Sequence, residues 1–180
     1  MALDVEPSSA SVELAIQLRD LLCARRLRIV LAESCTGGNV AATLTRLPGI
    51  SEQLCGCFVV YRNASKSNWL GISTQLLDDP EIGPVSCVVT EQLVLAALLK
   101  TPEADLGVAV TGHLGPGCPP KRDGQIVGAF ALRHCAKPKS VLGRLVTPAP
   151  ATAHDIDRRS LRLIEATNWL MKQTINWLSE

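Results

Sequence analysis

The stretch Leu31–Leu44, LAESCTGGNVAATL, decides how this 180-residue chain is read. The run before and into it, RIVLAES, is short, apolar and β-branched, and it stops at a glycine pair. After the pair, NVAATLTRL continues in helix-forming residues until Pro48-Gly49 ends it. The segment is therefore a strand, a tight turn and a helix, and the turn carries Ser34, Cys35 and Thr36 directly ahead of Gly37 and Gly38.

The same alternation extends in both directions. SSASVELAIQLRDLLCARR has helical apolar spacing, with Ser8, Ser9 or Ser11 available as a cap. CFVVYRN (57–63) predicts a second strand, and ASKSNWLGI a short helix starting near Asn63, whose side chain suits a cap. Residues 72–85 read as an irregular link, and VSCVVTEQLVLAALLK as a long apolar helix capped by Ser86 or Thr90. ADLGVAVTG is a third strand, ending like the first in a hydroxyl followed by glycine.

HLGPGCPPKRDG (113–124) holds three prolines and three glycines, too many for regular structure, and reads as the wall of a site. The strands GQIVGAFALR and KSVLGRLVTP follow, then PAPATAH, then a long amphipathic helix from Asp155 with Leu161, Ile164, Leu170 and Ile175 toward the body. The pattern predicts a single domain over 1–180, an α/β chain folded as a three-layer α/β/α sandwich with a central mixed sheet. In such folds ligands bind at the carboxyl ends of strands, so the turns after Ser34, Tyr61 and Thr111 are expected to converge on one crevice.

Composition narrows the partners. Apolar residues make up 47% of the chain and charged residues 19%, which suits a chain with several buried strands. A formal net charge of +1 supplies no field for a polyanion, and 3% aromatic residues leave few platforms for bases, so nucleic acid is not expected. Seven cysteines, an odd number, together with an N-terminus unlike a secretory signal, point to a reducing cytoplasm. No apolar run reaches the ~18 residues of a membrane span, so no membrane partner is expected.

Several residues are candidates for chemistry. A serine at a strand-to-helix turn presents its Oγ beside free backbone N–H groups that can stabilise an oxyanion or bind phosphate, but it needs a partner to take its proton. Cys35 is the rival nucleophile, since a helix N-terminus lowers a thiol pKa; alternation along the strand lets only one of the two face the crevice. Of the three histidines, His134 and His154 read as solvated, and only His113 is placed to approach the crevice. Lys66 lies in the first turn of a helix, where partial burial and the dipole both favour a neutral amine, although spacing alone makes it a solvated helix residue. Cys55 and Cys57 lack a second pair at metal-ligand spacing and read as packing, so no metal site is expected.

Taken together, AESCTGG, YRNASK, VAVTG with GPG after it, and DRRSLR resemble the CinA family, specifically its C-terminal amidohydrolase domain, over nearly the whole chain from about residue 10. The resemblance implies a serine amidohydrolase that needs no cofactor and converts nicotinamide mononucleotide and water to nicotinic acid mononucleotide and ammonia. By motif, Ser34 matches the nucleophile, Lys66 the general base and Tyr61 a residue that relays or orients the proton. Cys35, Thr36, Gly37, Gly38, Asn63, Thr111 and Gly112 match substrate-site positions, and Arg158 and Arg162 look like the arginines of the family's G-D-R-x-x-I-R segment, suited to a nucleotide phosphate.

The chain departs from the family pattern at His113, at Ile156 where a glycine is usual, and in its glycine-poorer 115–124 loop. Three functions follow from these residues: the amidase, an amidase on another substrate, or a silent relative that keeps the crevice as a nucleotide-binding or assembly module. The resemblance also implies a homodimer, with Trp169 and Trp177 among the apolar surfaces available to it.

Overall fold

A computed structural model describes residues 9–135, 137–147 and 155–180, the side chains of 155–157 excepted. Ser8, His154 and the Ile156 side chain, all invoked above, lie outside the described set. The elements run α1 (Ser9–Arg25), β1 (Ile29–Glu33), α2 (Asn39–Leu44), β2 (Leu54–Val59), α3 (Asn63–Leu70), α4 (Thr74–Asp78), α5 (Cys87–Lys100), β3 (Leu106–Gly112), β4 (Gln125–Leu132), β5 (Lys139–Arg144) and α6 (Asp155–Ser179). Five strands form one sheet in the order β2-β1-β3-β4-β5, with β2, β1 and β3 parallel and β4 and β5 joining antiparallel. The sheet is mixed and has helices on both faces, as the alternating pattern predicts.

All five β1 residues are buried, as expected for a parallel strand covered on both sides. Ile29 and Leu31 enter the core shared with α1, α2 and α6, while Val30 and Ala32 enter the core beneath α3, α4 and α5. β2 begins three residues before the 57–63 expectation, because a bulge lets Val30 pair with Gly56 after Ile29 pairs with Leu54. The extra residue is Cys55, so Cys55 and Cys57 pack into opposite cores despite their two-residue spacing.

The 72–85 link is not wholly irregular, since it contains α4. Ser86 is the cap of α5, accepting from Val89 N–H at 3.3 Å, whereas Thr90 turns its hydroxyl inward. Asn63 is the first residue of α3 and not its cap; Arg62 holds that place without a side-chain bond.

On α6 the inward stripe is Ala166, Leu170, Met171 and Leu178. Leu170 and Ile175 pack on the core as expected, but Leu161 is exposed and Ile164 lines an outer groove with Leu14, because Arg162 takes the inward position in that turn. Trp169 lies across β4 and β5, where a Cβ built on Gly143 would come within 2.7 Å of the ring and one on Gly128 within 3.1 Å. Trp177 stacks on Phe130 with ring centroids 5.4 Å apart. The two tryptophans offered above to a second copy are thus engaged within their own chain. Among the described residues no helix is long and apolar enough to cross a membrane.

Candidate active site

The parallel register sets Glu33 level with Val59 on one side and with Val110 on the other, so β1 and β2 end together and β3 runs two residues further, to Gly112. Beyond them opens a cleft of about 320 Å³ lined by Ser34, Cys35, Tyr61, Asn63, Lys66, Gly112 and Arg159, with Pro84 and Val85 opposite. The His113–Cys118 stretch forms its wall, as the proline- and glycine-rich sequence there predicts. The three strand-end turns therefore meet at the carboxyl edge of the sheet.

The helix after β1 does not leave its N-terminus free. Glu33, fully buried, aims its carboxylate into that end: Oε2 accepts from Gly38 N–H at 2.9 Å and from Val40 N–H at 3.2 Å, and Oε1 accepts from Ala41 N–H at 2.9 Å. Cys57 Sγ adds a bond to Oε1 at 3.5 Å. A residue the sequence reading passed over thus takes one of the amides expected to meet substrate, that of Gly38, and two beyond it; its only advance signal was an acid inside an otherwise apolar strand.

Gly37 N–H donates to Ser34 O and Asn39 N–H to Thr36 O. Among the described residues this leaves the Cys35 and Thr36 amides as the turn's donors without a backbone acceptor. Gly37 and Gly38 adopt positive φ (61° and 96°) and shape the turn without lining the cleft, and Thr36 is buried with its hydroxyl unpartnered.

Strand alternation separates the two nucleophile candidates. Ser34 follows Val30 and Ala32 to the α3 side, while Cys35 returns to the core of α1, α2 and α6 and forms the cleft floor. Burial, reinforced by the Glu33 charge, pushes the Cys35 thiol up to about 12. This reverses the expectation of an activated thiol: the helix dipole that would lower it already faces a carboxylate.

Lys66 is 2% exposed, lines the same cleft, and is held below the usual lysine range by burial, which the nearby Cys35 partly offsets. Its Nζ donates to Tyr61 O at 3.5 Å, and it has no carboxylate partner among the described residues. It is buried rather than solvated. Tyr61 itself is exposed, and its hydroxyl meets Arg159 Nη2 at 2.5 Å instead of Lys66. The group of Tyr61 that Lys66 Nζ meets is its backbone carbonyl.

Asn63 stands at the cleft mouth, and His113 lines the wall with its pKa lowered by burial and then by Arg122. Thr111 is fully buried and does not line the cleft: Thr90 gives its own proton to Ser86 O at 2.7 Å, so Thr111 Oγ1 donates to Thr90 Oγ1 at 2.8 Å. Only Gly112 of that pair reaches the cleft. Among the described residues no three His, Cys, Asp or Glu side chains cluster at metal-binding distance.

The arginines of α6 divide. Arg162, 5% exposed, binds Asp123 with both terminal nitrogens, at 2.6 Å to Oδ1 and 2.9 Å to Oδ2, and Arg158 Nη2 reaches Oδ2 at 2.7 Å. Hydrogen bonding by Arg162 drops the Asp123 carboxyl to about 2, and Asp123 in turn raises Arg162. Neither arginine is among the residues that line the cleft, and both are paired with Asp123. Arg159, between them in sequence, does line it, donating to Gly115 O at 2.7 Å as well as to Tyr61. Residues four apart on a helix share a face, so the motif spacing that pairs 158 with 162 directs both to Asp123.

The family model described as the CinA C-terminal domain matches residues 11–158. The chain belongs to this family. A CinA-like protein of Prochlorococcus marinus is 43% identical over 96 residues, 53% of this chain and 22% of that protein. The chain spans about a quarter of the length of the curated relatives it matches, 25% and 26% in two further cases.

Among solved structures, a CinA superfamily protein of Klebsiella pneumoniae superposes with a TM-score of 0.81 at 22% identity, over 94% of this chain and 98% of the other. The competence/damage inducible protein CihA of Agrobacterium tumefaciens gives 0.78 at 28% identity, over 100% of both chains. The first of these likenesses is one of fold alone. The mixed five-stranded α/β architecture is that of the CinA superfamily.

Proposed function

We propose that this CinA-family chain is a serine amidohydrolase that deamidates nicotinamide mononucleotide, with Ser34 as nucleophile and Lys66 as general base. The observation that carries the reading is Lys66: a buried lysine with no carboxylate beside it among the described residues, tuned toward its neutral form, lining one cleft with a serine on a strand-end turn. A neutral amine accepts the Ser34 Oγ proton as Oγ bonds to the carboxamide carbon. The developing oxyanion meets the N–H of Cys35, which lines the cleft and which Glu33 does not occupy. Collapse breaks the C–N bond, and the Lys66 ammonium returns its proton to the departing nitrogen as ammonia. Water, deprotonated by the same amine, then cleaves the ester and restores Ser34.

Release of ammonia from nicotinamide mononucleotide tests the reading. Ser34→Ala lowers the rate by roughly 10⁴-fold or more, and Lys66→Met by a comparable factor because the two act as a unit. Since the base must be unprotonated, wild-type kcat/KM rises with pH through a pKa below the 10.5 of an ordinary lysine, and Lys66→Met abolishes that limb. Undiminished ammonia release by Ser34→Ala would overturn the assignment.

A further inference from the structure

Three places in this fold are suited to hold a substrate's anionic group, and two are already filled from within the chain. The N-terminus of α2 is filled by the Glu33 carboxylate, and Arg158 and Arg162 by Asp123. Arg159 is the exception. It faces the cleft, forms no ion pair with any described residue, and its two hydrogen bonds go to neutral oxygens, Gly115 O and Tyr61 Oη.

A guanidinium has five N–H donors, so three remain beyond those two bonds, enough for a forked pair with a tetrahedral anion. Among the described residues no carboxylate lines the cleft to oppose such an anion. Tyr61 also leads into α3, whose first turn has no side-chain cap and adds partial positive charge at the same end.

We propose that Arg159 is the specificity-determining residue that holds the phosphate monoester of the substrate, with Arg158 and Arg162 serving instead to fix the Asp123 loop beneath it. This rests on the amidohydrolase reading for the identity of the substrate, and deepens it by naming the group that selects a phosphorylated amide. The two bonds from Arg159 tie α6, the turn after β2 and the loop after β3 across one end of the cleft. A bound phosphate would therefore brace three elements together.

Calorimetric binding of nicotinamide mononucleotide and of the same nucleoside without phosphate, to wild type and variants, tests this. Wild type is expected to bind the mononucleotide more tightly, and Arg159→Ala to lose roughly 10- to 100-fold of that affinity so that the gap closes. Arg159→Lys, which keeps charge but not the fork, is expected to retain part of the gap and serves as the folded comparison should the alanine variant misfold. Inorganic phosphate should protect wild type from binding the mononucleotide, and do so far less in Arg159→Ala.

A gap that survives in Arg159→Ala, or that closes only in Arg158→Gln, overturns the proposal. Because the readout is binding, the two assignments fail separately. Closure of the gap without ammonia release sinks the reaction and keeps Arg159; ammonia release with the gap intact does the reverse.

Discussion

Ser34 and Thr111 invite comparison because the sequence presents them alike, each a hydroxyl at a strand end followed by glycine. The sheet makes the likeness closer still. Glu33 pairs with Val110 and Ser34 N–H donates to Val110 O at 3.1 Å, so the next step of the ladder sets Ser34 beside Thr111 on the face covered by α3 and α5. There the likeness ends. Thr111 lies under α5, where Thr90 takes its proton, and is fully buried; Ser34 opens into the cleft that Lys66 lines. The turn motif delivers a hydroxyl to the edge of the sheet, and the helix above it decides whether that hydroxyl meets solvent or structure.

The sharpest way to break this comparison is to remove each hydroxyl in turn. Ser34→Ala is expected to cost roughly 10⁴-fold or more in ammonia release with an unchanged melting temperature. Thr111→Val should show the opposite pattern, a loss of about 1 kcal/mol and about 2–4 °C in Tm as Thr90 loses its donor, with the rate lowered by less than about tenfold. Equal loss of activity in both variants would place Thr111 in the chemistry and undo the contrast.

Glu33 sharpens it next, because this carboxylate holds the turn on which only Ser34 depends. Glu33→Gln removes the charge from three amide bonds and is expected to cost about 2 kcal/mol, about 4–8 °C in Tm.

The smallest effect concerns acid. The Asp123 carboxyl is held near 2 in the folded chain, so between about pH 4 and pH 2 the unfolded chain binds the proton that the folded chain refuses. Stability contributed by this group is therefore complete above about pH 4 and is lost as pH falls through 2. Asp123→Asn should remove that part of the slope in acid-unfolding curves.

Much of the fold was legible because its signals are local. An apolar β-branched run before Gly37-Gly38 can hardly be other than a strand and a turn, and the proline-rich 113–124 loop announces a wall. What escaped the sequence depends on partners distant along the chain. Cys55 and Cys57 share a face by spacing, and only the bulge opposite Ile29 and Val30 separates them. Glu33 reads as an oddity inside a strand until α2 folds back over it.

The arginines show the same limit. A four-residue spacing places Arg158 and Arg162 on one face, yet nothing local says that this face meets Asp123 and leaves Arg159 to the cleft. Ser34 and Lys66 were nominated by motif, and the lysine's burial, which makes the nomination chemical, is a property of the assembled layers.

Trp169 lies about 15 Å along the axis of α6 from Arg159. Its ring rests where Gly128 and Gly143 have no side chains, and that seat sets the phase of the whole helix. Rolling α6 by about 100°, one residue's step, would exchange Arg159 for a neighbour at the mouth. Two missing methyl groups on one flank of the sheet thus act as a key cut for a distant lock, choosing Arg159 over its neighbours Arg158 and Ser160 for the place at the cleft.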